Sequence, residues 1–297
     1  MPYAYNISCC YHLDVNKDNH KSNNIEIKNK TEKKNIKNNI EIIPVKLDKD
    51  VKPNDKLDML ILESLKKTRQ ILCDDDILVI AHKIVSKSEN QIIKLDKIRP
   101  SARSLAIAKE HDKDPRIVEL ILNESNDILR MSRGIIIVET TQGLICANAG
   151  IDQSNIEDGS NCAVLLPVDS DRSATKIRGS LKRKTRKNIA VIISDTFGRP
   201  FREGQVNVAI GIAGLEPIKN YIGKEDMYGR QLRVTQIAIA DEIASAAELA
   251  MGKADGVPVV IIRGYNYQRA QKKTSISQLI RDKERDLFRQ QPSYVFD

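Results

Sequence analysis

The chain has 297 residues, 41% of them hydrophobic and 30% charged, with a formal net charge of +8. That balance excludes wholesale disorder, and no apolar run approaches the ~20 residues of a bilayer span. The start lacks a basic segment followed by an apolar core, so secretion is not expected and a cytoplasmic protein is.

Residues 1–40 come first, and 16–40 hold seven lysines against Asp18, Glu26 and Glu32, half of the chain's net charge, together with eight asparagines. Such a segment buries too little apolar area to offset its ordering entropy. We read 1–40 as a flexible Lys/Asn-rich extension and 41–297 as the globular domain. No aromatic residues interleave these lysines as stacking platforms, so nucleic-acid binding is not expected of them.

From Ile42 onward, short β-branched runs alternate with helical patterns. The runs at 42–45, 77–85, 134–140, 144–149, 188–195 and 257–264 read as strands with buried faces. Helical spacing covers 56–67, 101–110 and 115–128; the last has Asp114 as cap residue before Pro115 at the first helical position. The segment 231–251 is the longest helix candidate, closed by Gly252. Between them, 172–187 carries eight Lys/Arg and no acid. It reads as a solvated helix face, with a positive rim for a phosphorylated or polycarboxylate ligand as the alternative. The fold class is α+β, with mixed sheets and flanking helices. The five cysteines (Cys9, Cys10, Cys73, Cys146 and Cys162) form no CxxC pair and are odd in number. Reduced thiols, and no zinc site, are the simple reading.

Three loops at the ends of predicted elements carry candidate chemistry. After 144–149, Asp152 offers a hard anionic oxygen and Asn155 an amide, although Asp, Ser and Asn in a loop also form Asx turns by themselves. After 188–193, Asp195 and Thr196 resemble a divalent-metal position, with Arg199 and Arg202 able to hold phosphate or carboxylate oxygens. After 231–251, the glycine-flanked loop around Lys253 can present backbone N–H groups to phosphate or serve only as cap and turn. No GxxxxGK[ST] segment occurs, which excludes a P-loop.

These segments in this order resemble the coenzyme F420-0:L-glutamate ligases, stand-alone archaeal form, over residues 42–267. The carriers are IVSKSE (84–89), NAGIDQSN (148–155), SDTFGRPFREGQVNVAIGIAG (194–214) and DMYGRQLRVTQIAIADEIASAAELAMGKADGVPVVIIRG (226–264). The resemblance implies GTP-dependent addition of L-glutamate to the terminal carboxylate of coenzyme F420-0 through an acyl phosphate, releasing GDP and phosphate. Further γ-linked glutamates are left open, as is an amide ligase of the same mechanism with a different carboxylate acceptor. It further implies Mg²⁺ or Mn²⁺ as cofactor, K⁺ as an additional candidate ion, and an intertwined homodimer.

Position by position, Asp152, Asp195 and Thr196 match the family's metal-binding residues, the two aspartates being the catalytic candidates. Asn155 and Lys87 match GTP contacts. His82 and Lys83 fall at adjacent nucleotide contacts, with residue types that differ from the family's. Asp48, Lys49, Asp50 and Val51 align with an N-terminal nucleotide contact. Met251, Gly252, Lys253, Ala254, Asp255, Gly256 and Val257 match the guanine-nucleotide loop, one residue shorter here and with Lys253 where some relatives have an acid.

Overall fold

The structure, a computed structural model, describes residues 39–154 and 161–289. The expectation of a flexible extension therefore falls almost wholly outside the described residues.

In chain order the elements are β1 (Glu41–Val45), α1 (Leu57–Lys67), β2 (Ile77–Ala81), α2 (His82–Ser88), β3 (Ile92–Lys94), α3 (Ala102–His111) and α4 (Pro115–Asn123). There follow β4 (Ser125–Ser132), β5 (Ile135–Thr140), β6 (Ile145–Ala147), β7 (Cys162–Val164) and α5 (Ser170–Thr185). The last are β8 (Ala190–Arg199), β9 (Arg202–Ala213), β10 (Lys219–Asn220), β11 (Gln236–Ile237), α6 (Ile239–Met251) and β12 (Val259–Arg263). The architecture is mixed α+β, as the alternation of runs predicts. Among the described residues no helix is long and apolar enough to cross a membrane.

The main sheet has the order β1-β12-β2-β8-β9. Only β2 and β8 run parallel; the other pairs are antiparallel. Ile77, Leu78, Val79 and Ile80 of β2, and Ala190, Val191, Ile192 and Ile193 of β8, are fully buried. A strand buried at every residue is covered on both faces, which is why these runs read as continuous rather than alternating. Helices α5 and α6 pack on the sheet and α1 packs on α5. A second, smaller core joins α3, α4 and β5 through Ile107, Val118, Ile121, Ile136 and Val138, beneath the sheet β4-β5-β6.

Local signals hold at several ends. Asp114 accepts the Arg116 N–H at 2.8 Å ahead of Pro115, and Ser101 accepts the Ser104 N–H at 3.2 Å to start α3. Gly252 closes α6 with φ 58° and ψ −177°, a conformation open to glycine.

Four expectations are corrected. The strand predicted over 77–85 stops at Ala81, and His82–Ser88 is helix. Ile84 and Val85 are buried in either state, and an apolar run cannot by itself tell strand from helix. The helix predicted over 115–128 ends at Asn123, because 125–132 pairs antiparallel with β5. The helix predicted over 231–251 begins only at Ile239. Leu232 and Thr235 bond across to Gly223, Lys224 and Tyr221 instead, which commits that backbone to a hairpin. The strand expected over 144–149 covers Ile145–Ala147 and gives way to a 3-10 turn.

The basic stretch lies on α5, with Arg172, Lys176, Lys182, Arg183 and Lys184 exposed while Ala174, Ile177 and Leu181 are buried. That is the solvated helix face.

Candidate active site

The parallel register of β2 and β8 sets Ala81, the last residue of β2, opposite Ser194 in the middle of β8, where the parallel pairing stops and a ligand crevice can form. The next residues are neighbours for the same reason, and His82 Nε2 lies 3.2 Å from Asp195 Oδ1. A cavity of about 910 Å³ opens there, within the ~300–1,000 Å³ usual for small-molecule sites.

The cavity collects most of the residues singled out in the sequence. Asp48, Lys49, Asp50 and Val51 line it from the segment after β1; His82, Lys83 and Lys87 from α2; and Asp152 from beyond the NAG turn. Met251, Gly252, Lys253, Ala254, Gly256 and Val257 close it from the loop after α6. Asp255 is not part of the lining; its carboxylate folds back over Gly252, where a Cβ would meet Oδ2 at 2.1 Å. Asn155 lies outside the described residues. Asp195 and Thr196 also line the cavity, but from within β8 rather than from a loop after it. The strand runs on to Arg199 because it pairs with β9, with a bulge at Ile210 where Ile193 faces Gly211 and Ser194 faces Ala209. Such an extra residue re-aims the side chains beyond it.

Asp48, Asp50, Asp152 and Glu248 in the cavity each pair with a lysine, and Asp195 faces His82. Lys83 Nζ is 2.8 Å from Asp152 Oδ2 and donates to Ser154 Oγ at 2.9 Å. Burial raises the Asp152 carboxyl, but hydrogen bonds from Lys83 and Ser154 outweigh it and hold the group below the ordinary aspartate value. The Ser154 N–H donates to Asp152 Oδ1 at 2.6 Å and completes an Asx turn, while the second oxygen is the one that Lys83 holds. In the preceding Asn148–Gly150 turn Ala149 has φ 55° while only 2% exposed; a non-glycine residue held there is strained backbone of the kind that collects at functional sites. Lys87 is 5% exposed, and its ammonium meets Asp50 at 2.8 Å and 3.1 Å. Cys146 is pushed up to about 12 by burial and then by the Asp195 charge, so its thiol stays protonated and is no nucleophile.

Sequence reasoning missed Glu248 on α6 and Asn207 on β9, both of which line the cavity. Asn207 pairs with Thr196 across the hairpin and Gln205 with Gly198. The signal that could have found them is the period of two, since Gln205 and Asn207 share one face of a strand that is otherwise apolar towards Ala213. Among the described residues no three His, Cys, Asp or Glu side chains converge as a ready metal cluster. The donors facing the cavity (Asp152, Asp195, Thr196 and Glu248) are nonetheless all hard oxygens, the set that suits Mg²⁺ or Mn²⁺ when phosphate and water complete the shell.

Titratable groups gathered in one cleft beside the parallel β2–β8 pair make it the candidate active site. The chain belongs to the F420-0:gamma-glutamyl ligase family, whose model matches residues 46–264. It is similar to the coenzyme F420:L-glutamate ligase of Methanothermobacter thermautotrophicus, 50% identical over 236 residues, spanning 79% of this chain and 93% of that protein. The enzyme of the same name from Methanopyrus kandleri is 44% identical over 253 residues, 84% of this chain and 98% of that one. That of Methanocaldococcus jannaschii is 46% identical over 217 residues, 73% and 85% respectively.

Proposed function

We propose that this chain is a GTP-dependent ligase that joins L-glutamate to the terminal carboxylate of coenzyme F420-0, with further γ-linked glutamates as an extension of the same step. The observation that carries the reading is the cavity beside β2 and β8. It brings together Asp152, Asp195, Lys87, the segment after β1 and the loop after α6, which are separated by up to two hundred residues of chain.

The reaction begins as the γ-phosphoryl group passes to a carboxylate oxygen of the acceptor. The bond between the β- and γ-phosphates breaks and GDP is left. The neutral amine of L-glutamate then attacks the acyl carbon, the C–N bond forms, the C–O bond to phosphate breaks, and inorganic phosphate leaves with the proton that the nitrogen sheds. Phosphoryl transfer asks the protein for positioning and charge neutralisation more than for covalent help. Lys87 supplies a desolvated ammonium for phosphate oxygens, and Lys83 holds Asp152 ionised and oriented. Gly252 and Gly256, both at positive φ, shape a loop whose backbone N–H groups suit a nucleotide. Asp152 and Asp195 would hold Mg²⁺ or Mn²⁺, which when bound neutralises phosphate charge. No thiol or Ser-His pair takes part.

We also read the protein as a homodimer. The strongly exposed apolar side chains Met227, Tyr228 and Val234 of the β10–β11 excursion support a buried face there, and light scattering on the purified chain tests it.

The function is tested by mass spectrometry of a mixture of GTP, L-glutamate and coenzyme F420-0, with Asp152→Asn and Asp195→Asn beside the wild type. Glutamylated product and stoichiometric GDP are expected. Each variant should lose orders of magnitude in turnover while melting normally, and the double variant should be far less than additively worse. Wild type without product, or either variant at full turnover, would sink the assignment it addresses.

A further inference from the structure

The Lys253 ammonium sits in an oxygen cage. Its Nζ donates to Thr196 Oγ1 at 2.7 Å, lies 2.6 Å from Glu248 Oε1, and reaches Asn207 Oδ1 at 3.5 Å. Three oxygens from β8, β9 and α6 thus face the three N–H donors of one ammonium. The groups behind them are committed so that only oxygen faces inward. The Thr196 hydroxyl donates to Asn207 Oδ1 at 2.7 Å, and Asn207 Nδ2 donates to Glu248 Oε2 at 2.8 Å. Asn207 is 3% exposed, and a turned amide would set its oxygen against the Glu248 carboxylate that now accepts from Nδ2, so the oxygen stays towards the ammonium. A lysine on an exposed loop, whose side chain is itself 63% accessible, has no need of such a receptor. Hydroxyl lone pairs, an amide oxygen and a carboxylate are what a hard cation requires.

We propose that Thr196, Asn207 and Glu248 form a cation site beside the Asp152–Asp195 pair, and that Lys253 is its resident cation, a tethered charge where a free metal ion would otherwise bind. This rests on the reading above for the neighbouring metal, and it assigns the Thr196 hydroxyl to the lysine. The wild-type cavity accordingly takes one fewer free divalent ion than its oxygen donors could hold. The tethered ammonium supplies the missing positive charge to a phosphorylated ligand at no cost in metal affinity.

The experiment counts Mn²⁺ bound to the full chain, with metal alone and no nucleotide, from the electron paramagnetic resonance signal of the free ion. Lys253→Glu replaces the ammonium by a carboxylate and should bind one more Mn²⁺ per chain than the wild type. Adding Glu248→Gln to that variant should return the count to the wild-type number. Equal counts for wild type and Lys253→Glu overturn the proposal, as does an added ion that survives Glu248→Gln. Should Lys253→Glu fail to fold, Lys253→Met serves. Its melting temperature should rise with Mn²⁺ by more than the wild type's, and an equal response overturns the idea. A wild type that binds no Mn²⁺ counts against the metal at Asp152 and Asp195, and leaves the difference between variants to decide the cage.

Discussion

Lys87→Met separates binding from folding because the two partners of its ion pair sit in different environments. The Lys87 side chain is 6% exposed and that of Asp50 is 59% exposed. Truncating one partner of a buried pair is costly when the other is left buried and unpaired. Here the partner left behind is already in water, and methionine fills the volume of the lysine stem among the buried neighbours of α2. Stability should therefore stay within about 0.5 kcal/mol of the wild type, as for changes that strand no buried group. Binding behaves otherwise. A hydrogen bond to a charged group contributes about 1.5–3 kcal/mol, so losing the Lys87 contact to a triphosphate should weaken GTP about 10- to 150-fold. Titration calorimetry with GTP, beside a thermal melt, reads both quantities. Asp50→Asn supplies the opposite perturbation: it removes the carboxylate that now occupies the ammonium and should tighten GTP. The reasoning is refuted if Lys87→Met leaves GTP affinity within about twofold, under 0.5 kcal/mol, or if its loss of affinity comes with a large fall in melting temperature.

Other outcomes follow from the same geometry. Deleting residues 1–38 should leave turnover and melting temperature nearly unchanged; a truncated chain that fails to fold would give the segment a structural part. The cut spares Asn39, whose carbonyl packs against Gly264 so closely that a Cβ there would meet it at 2.2 Å. Asp171, 9% exposed, accepts the Ile212 N–H at 2.8 Å and the Ile276 N–H at 3.0 Å. Asp171→Ala strands both donors and should cost about 2–6 kcal/mol in a urea melt, whereas a cost below 1 kcal/mol would mean that water reaches them. Hydrogen bonds from Lys283 and then Arg289 hold the Glu139 carboxyl below the ordinary glutamate value, against the opposing effect of burial. Because its folded pKa is the lower one, its contribution is complete above the unfolded value of about 4.3 and is lost as pH falls through the folded value. Amide exchange at Asp286 and Arg289 should accelerate across that acid window in the wild type and lose the dependence in Glu139→Gln; the same pH profile in both would refute the link.

Much of this protein was determined by local sequence. The β-branched runs of β1, β5 and β12, the Asp114–Pro115 start of α4 and the Gly252 stop of α6 are encoded within a few residues, since propensity, capping and positive φ are local properties. Asp152, Asp195, Thr196 and the glycine-flanked loop around Lys253 were legible as polar residues at the ends of predicted elements, whereas Lys83, Lys87 and residues 48–51 were marked only by the family resemblance. What remained for the tertiary structure was the choice of partner. The apolar run through Ile84 and Val85 is buried as strand or helix alike, and β2 ends because its neighbour β12 begins at Val259, opposite Ile80. Residues 125–132 and 231–237 became extended because β5 and the 219–225 segment offered their backbone groups. The cage around Lys253 draws on Thr196, Asn207 and Glu248, whose common direction exists only once β8, β9 and α6 have packed. Hydrophobic period records that a residue is buried; only the pairing of distant strands records what it is buried against.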